Sequence, residues 1–189
     1  MDDVTEDYAA AIHVWVWSGF YSVSEVADML AEQLKDEAEE VDELLLKSLI
    51  AREFATKQRA EATWPAPTDC DRLAQAFATL ERLGIICLQN AGYTMSDGLD
   101  SVDEVLAKYP SELTKGYCFY HGQDLERAVN GMGLWLAFSS LDNEADTKRV
   151  IGQQVQDTMQ KVGLVVEWNG DPESRIQLPQ IDWQRRYAM

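Results

Sequence analysis

The chain has 189 residues, with 33 Asp+Glu against 16 Lys+Arg and a formal charge of −17. That length suits one domain, or one domain with an appendage, and 46% hydrophobic residues with six Trp mark a globular chain rather than a disordered one. The charge excludes nonspecific attachment to nucleic-acid backbones or anionic membranes, which need a basic surface, and no run approaches the ~18 apolar residues of a membrane span.

The N-terminus is acidic where a secretory signal would be basic, and Cys70, Cys87 and Cys118 are too few and too widely spaced for a disulfide framework; a cytoplasmic location is expected. Tyr8, Ile12, Trp15 and Val16 share one helical face across residues 6–18. The alanine run 9–11 favours helix over the strand that His13–Trp17 would also allow, and Gly19 suits its C-cap. Ser22-Val23-Ser24-Glu25 reads as a capping box, in which the Ser hydroxyl accepts from the N3 amide while the Glu reaches back to the cap. Val26, Met29, Leu30 and Leu34 extend it as an amphipathic helix. A third helix is expected across about 38–62, with Val41, Leu44, Leu45 and Leu49 on its apolar face, stopped by Pro65 and Pro67. Residues 63–68 are the candidate boundary between a helical portion, 1–67, and an α+β portion, 68–189, the two forming one compact unit.

Thr68-Asp69-Cys70-Asp71 caps a fourth helix with Leu73, Ala76, Phe77 and Leu80 at helical spacing, closed by Gly84. Ile85–Leu88 is a short apolar run, expected as a buried strand. Ser101-Val102-Asp103-Glu104 reads as a further capping box, opening a helix that ends before Pro110. Tyr117–Tyr120 is expected as a strand, Asp124–Val129 as a short helix, and Leu134–Phe138 as a strand. A long helix follows from Asp142 or Asn143 to Gly163. Residues 164–168 and 175–178 are expected as two last strands joined through Asn169-Gly170-Asp171-Pro172. The order from residue 85 fits an α+β fold, a small mixed or antiparallel sheet with helices on one face in a ferredoxin-like (split βαβ) topology. A three-layer α/β sheet is the alternative.

The acid is concentrated: residues 1–50 hold 13 Asp+Glu against two Lys+Arg. A solvated helical face accounts for this, and a docking surface for a basic protein is the sharper reading. The basic run Arg185-Arg186 near the C-terminus is expected to fold back onto acidic side chains.

Two segments are rich in polar groups. The first supplies Asn90, Tyr93, Thr94, Ser96 and Asp97; the second supplies His121, Gln123, Asp124 and Arg127. If a right-handed crossover joins the strands that precede them, both loops leave the same edge of the sheet. In the split topology one strand, or roughly 10 Å, would separate them, so their side chains could meet over a cleft. His121 beside Asp124 and Asp97 has the ingredients of an acid/base pair. The plainer alternative is that Asp124 caps its helix and His121 packs at a strand end. Cys118 and His121 point to opposite faces of a strand and have no second ligand pair nearby, so neither metal nor cofactor is expected.

The blocks Trp15–Tyr21, Thr68–Leu73, Gly84–Gly98, Gly116–Val129 and Trp183–Arg186 together resemble an uncharacterised bacterial family known only as a domain of unknown function. The resemblance covers nearly the whole chain, and Ala91–Gly98 and Gly116–Val129 are its most specific parts. It implies a complete bacterial cytoplasmic protein and brings no activity, cofactor or catalytic residue.

The leading functional expectation is a non-enzymatic binding or regulatory module, with loops 90–98 and 121–127 forming a cleft for a small polar ligand or a protein partner. One alternative is a hydrolase or transferase using His121 with Asp97 or Asp124 and Arg127 as an anion clamp. Another is an acidic immunity or antitoxin-like protein that meets a basic partner. The oligomeric state is left open.

Overall fold

The structure, a computed structural model, describes residues 3–36 and 41–187, so the expected start of the third helix at 38–40 lies outside it. The described chain divides into two compact units, one from the described residues up to 68 together with 184–187, the other from 69–183. No described helix is long and apolar enough to cross a membrane.

The first unit is helical: α1 (Asp3–Ser18), α2 (Val23–Gln33) and α3 (Glu43–Glu61). Ile12 and Val16 of α1, Val26 and Leu30 of α2, and Leu46 and Ile50 of α3 stand four residues apart in pairs and form its core. Each such side chain contributes about 1.5–3 kcal/mol on burial. The capping box of α2 is as the sequence demands, with Glu25 N–H donating to Ser22 Oγ at 3.2 Å and Ser22 N–H to Glu25 Oε2 at 2.7 Å. Helix α3 is capped by Asp42, whose Oδ1 accepts from Leu45 N–H at 2.9 Å. That start turns Leu46 and Ile50 inward and leaves Leu44, expected on the apolar face, exposed. The C-terminal arginines lie on rings and carbonyls: Arg185 covers the Phe20 ring at 4.0 Å, and Arg186 donates to the carbonyls of Trp64 and Pro65.

The second unit is α+β. Its elements in order are α4 (Asp69–Arg82), β1 (Ile85–Leu88), α5 (Met95–Lys108), β2 (Gly116–Phe119), α6 (Gly122–Val129), β3 (Leu134–Ser140), α7 (Ala145–Lys161) and β4 (Ile176–Leu178). The sheet runs in the order β1-β2-β3-β4, with β1 parallel to β2 and the other neighbours antiparallel. It is therefore mixed, but it is not the split arrangement: no strand stands between β1 and β2, and Cys87 pairs directly with Cys118.

Nor do the helices keep to one face. Gly116 and Cys118 turn toward α7, since a Cβ at Gly116 would lie 3.1 Å from the Ile151 side chain. Tyr117 and Phe119 turn the other way and pack with Leu88, Val102, Leu106 and Ala137 beneath α5. Two apolar faces need two covers: α4 and α7 supply one, and α5, through Val102 and Leu106, supplies the other.

Two local expectations also change. Helix α5 begins at Met95, six residues before the Ser101 box, because Thr94 and Asp97 form their own capping box. This pulls half of the expected first loop into the helix. Gly98 makes the early start feasible: a Cβ there would lie 2.2 Å from Phe119 Cε2. Residues 164–168 do not become a strand; only Glu167 meets the sheet, exchanging two backbone hydrogen bonds of 2.9 Å with Gln177 of β4.

Candidate functional site

The two polar segments are brought together, side by side and hydrogen-bonded to each other. With β1 and β2 adjacent, the chain leaving each runs side by side, and Ala91 N–H donates to Tyr120 O, Gly122 N–H to Gly92 O and Gln123 N–H to Tyr93 O at 2.9–3.1 Å. Gly122 permits this approach, since a Cβ would lie 2.7 Å from the Tyr93 ring. The segments thus close on each other as a wall.

Within that wall the nine expected residues separate. Thr94 and Asp97 cap α5: Asp97 Oδ2 accepts from Thr94 N–H at 2.8 Å and Tyr93 N–H at 3.1 Å, and these bonds with that of the Thr94 hydroxyl hold its carboxyl below the usual range. Asp97 is thus occupied by backbone. Ser96 and Gln123 are exposed, and Asn90 is half-buried in a left-handed turn at φ 51°. Tyr93 is largely exposed; partial burial and the neighbouring Glu126 carboxylate raise its phenol.

His121 and Asp124 are different, at 4% and 2% exposure. Asp124 stands at N3 of α6, where its Oδ2 accepts from the His121 backbone N–H at 3.3 Å and lies 3.2 Å from His121 Nε2. The capping role and the pairing with the imidazole coexist in one oxygen. The same oxygen accepts from Arg175 Nη2, which also donates to the Trp135 carbonyl at 3.1 Å. Burial is the largest influence on His121 and lowers its pKa. Arg175 lowers it further, and the carboxylates of Asp124 and Asp97 oppose without reversing the shift. The imidazole is accordingly neutral near pH 7. With Nε2 facing Asp124, Nδ1 is buried and has no hydrogen-bond partner among the described residues. Arg127 leaves this cluster and covers the Trp135 ring at 5.4 Å, which Arg175 also approaches at 5.5 Å.

Arg175 links the cluster to a cavity of about 230 Å³ on the α5 face of the sheet. Tyr117, Phe119 and Ser139 form its floor, Met95 and Leu99 of α5 one wall, and Pro172–Arg175 the other. The Tyr117 and Phe119 rings are stacked at 5.9 Å between centroids. Two cations border it, Arg175 and Lys148, the latter 2.8 Å from the largely exposed Glu173 carboxylate. The Nε of Arg175 is buried without a hydrogen-bond partner among the described residues. An aromatic floor with two cations at its border can hold an apolar body with a negative group at one end.

None of the nine expected residues lines this cavity; Asp124 reaches it through Arg175. The sequence reading missed Arg175, Lys148, Tyr117 and Ser139. The signal available for Arg175 was indirect: a carboxylate that caps a helix and is also buried requires a cation from elsewhere in the chain. No group of three or more His, Cys, Asp or Glu placed to hold a metal occurs among the described residues.

The family described as Domain of unknown function (DUF6891) matches residues 1–187, and the chain belongs to it. Comparison with curated proteins and with solved structures returns no match.

Proposed function

We propose that this member of the DUF6891 family is a binding module for a small organic anion. The apolar body rests on Tyr117 and Phe119, and the negative group meets Arg175 and Lys148. The observation that carries this reading is the placement of Arg175: the buried Asp124 carboxylate holds it on the cavity wall, and His121 fixes Asp124 in turn. A guanidinium anchored in this way loses little side-chain entropy when it engages a ligand, and preorganisation of this kind contributes directly to affinity.

Of the expected residues, His121 and Asp124 then act as positioning groups, while Thr94 and Asp97 set the start of α5 and with it the wall that carries Met95 and Leu99. Calorimetric titration with small aromatic and aliphatic carboxylates, and with their neutral amides, tests the proposal. Carboxylates should bind and amides should not, and Arg175→Met should weaken binding at least about tenfold. Lys148→Met, farther from the buried cluster, should weaken it by a smaller factor and guards against a folding defect. Equal binding of acid and amide, or affinity unchanged in both variants, would sink the proposal.

A second reading has one observation in its favour. A neutral imidazole tied through Nε2 to a carboxylate, with Nδ1 unpaired, has the arrangement of a general base held by an orienting acid. Under that reading the protein hydrolyses an ester or amide that reaches His121, and His121→Gln abolishes that turnover while the fold is retained.

A further inference from the structure

Strand β1 is an edge of the sheet, and its outer side is unusually bare. Lys115 N–H donates to Gly84 O and Tyr120 N–H to Leu88 O, so residues 84, 86 and 88 face β2 with their backbone groups. By alternation, the N–H and C=O of Ile85 and Cys87 point away from the sheet. Among the described residues the outward Ile85 carbonyl meets the Cys87 thiol, at 3.6 Å. A groove of about 200 Å³ is lined by all four residues of the strand together with Glu81, Val105 and Thr114. Successive strand residues face opposite ways, so a groove that touches all four runs along the outer edge.

Natural edges are blunted by charge, proline or a bulge, and Ile85-Ile86-Cys87-Leu88 carries no charge and no proline. Around it, Leu83, Tyr109 and Leu113 are exposed, the last at 78%.

We infer that this edge pairs with the same edge of a second copy of the chain, antiparallel about a twofold axis through Ile86. In that register Ile85 faces the partner's Cys87 and Cys87 the partner's Ile85. Each pair exchanges two N–H···O bonds, and the two Ile86 side chains meet in the non-bonded position between them. The outward groups of Ile85 and Cys87 thus supply all four hydrogen bonds that this register needs. Charge supports a second copy as the occupant. Two chains of −17 repel over most of their surfaces, but residues 81–88 and 105–115 hold Glu81 and Glu112 against Arg82, Lys108 and Lys115. A near-neutral patch with both signs is self-complementary, whereas a strongly basic partner would be drawn elsewhere on this chain.

Sedimentation equilibrium on the whole chain over about 1 μM to 1 mM tests this. The expected result is a monomer–dimer equilibrium whose dissociation constant rises at least about tenfold in Leu113→Glu, a side chain too exposed to matter for folding. Ile86→Cys should form a reducible covalent dimer under mild oxidation, because non-bonded antiparallel pairs place Cα atoms about 4.5 Å apart, inside the disulfide range. Leu44→Cys, more exposed and on α3 away from the edge, should not. Hydrogen exchange at the Ile85 and Cys87 amides should slow as concentration rises. A chain that stays monomeric throughout overturns the inference and leaves the edge to an extended segment of another protein. A dimer in which I86C does not cross-link and those two amides exchange at the monomer's rate overturns it equally.

Discussion

Asp124→Asn keeps the shape of a side chain while removing the charge that organises the cluster. The carboxylate is 2% exposed, and its Oδ2 faces Arg175 Nη2, His121 Nε2 and the His121 backbone N–H. Breaking one partner of a buried ion pair typically costs ~3–5 kcal/mol. Here the amide retains an acceptor, and the Arg175 side chain keeps 23% exposure through which water can solvate it. The expected loss is therefore about 2–3 kcal/mol, at or just below the lower end of that range. Arg175→Met leaves the carboxylate buried with His121 alone and should cost a similar amount. The double variant removes both charges, so its loss should fall short of the summed singles by about 1.5–3 kcal/mol. Hydrogen exchange of β2 and β3 amides is the appropriate readout, since it reports the unit of residues 69–183 without treating a two-unit chain as one transition. If the two losses add to within ~0.5 kcal/mol, the Asp124–Arg175 contact contributes nothing specific, and the account of Arg175 as a positioned anion clamp fails with it.

Two further outcomes follow from the same geometry. Burial holds His121 below its ordinary pKa, so the unfolded chain binds the extra proton first as pH falls through about 6.5; stability is whole above that value and is lost on acidification. Between about pH 7.5 and 5.5, exchange protection in β2 should fall in the wild type and fall less in His121→Gln, and an equal fall in both would remove His121 from the explanation. Gly98→Ala should lower the melting temperature. Helix propensity alone would add about 1 kcal/mol, but the new methyl would sit 2.2 Å from Phe119 Cε2, and overpacking of that kind costs about 1–3 kcal/mol or more. An unchanged or raised melting temperature would mean that Phe119 can move aside.

Local signals were read well where nothing competed with them. The Ser22–Glu25 box opens α2 because both of its hydrogen bonds close within four residues. The apolar runs at 85–88 and 134–138 became strands since they are short, and burial against two helical layers suits them. Reading failed where two local solutions competed. Thr94 with Asp97 and Ser101 with Glu104 are both plausible caps within one stretch, and the earlier one is used because Gly98 lets the first turn of α5 lie on Phe119. It failed again at 164–168, where β propensity was present but only Glu167 found a partner on β4.

Composition and patterning by themselves determined that this is a globular α+β chain, with helices ahead of a small sheet and polar residues gathered after the first two strands. They could do so because capping, amphipathic spacing and turn chemistry act within a few residues. Tertiary structure alone decided that β1 lies directly beside β2, that both faces of the sheet are covered, and that Asp124 meets Arg175 across 51 positions of chain. Strand order and ion pairing between distant segments depend on which surfaces can be buried together and which buried charges can be neutralised. Those are properties of the assembled fold that no short stretch of sequence contains.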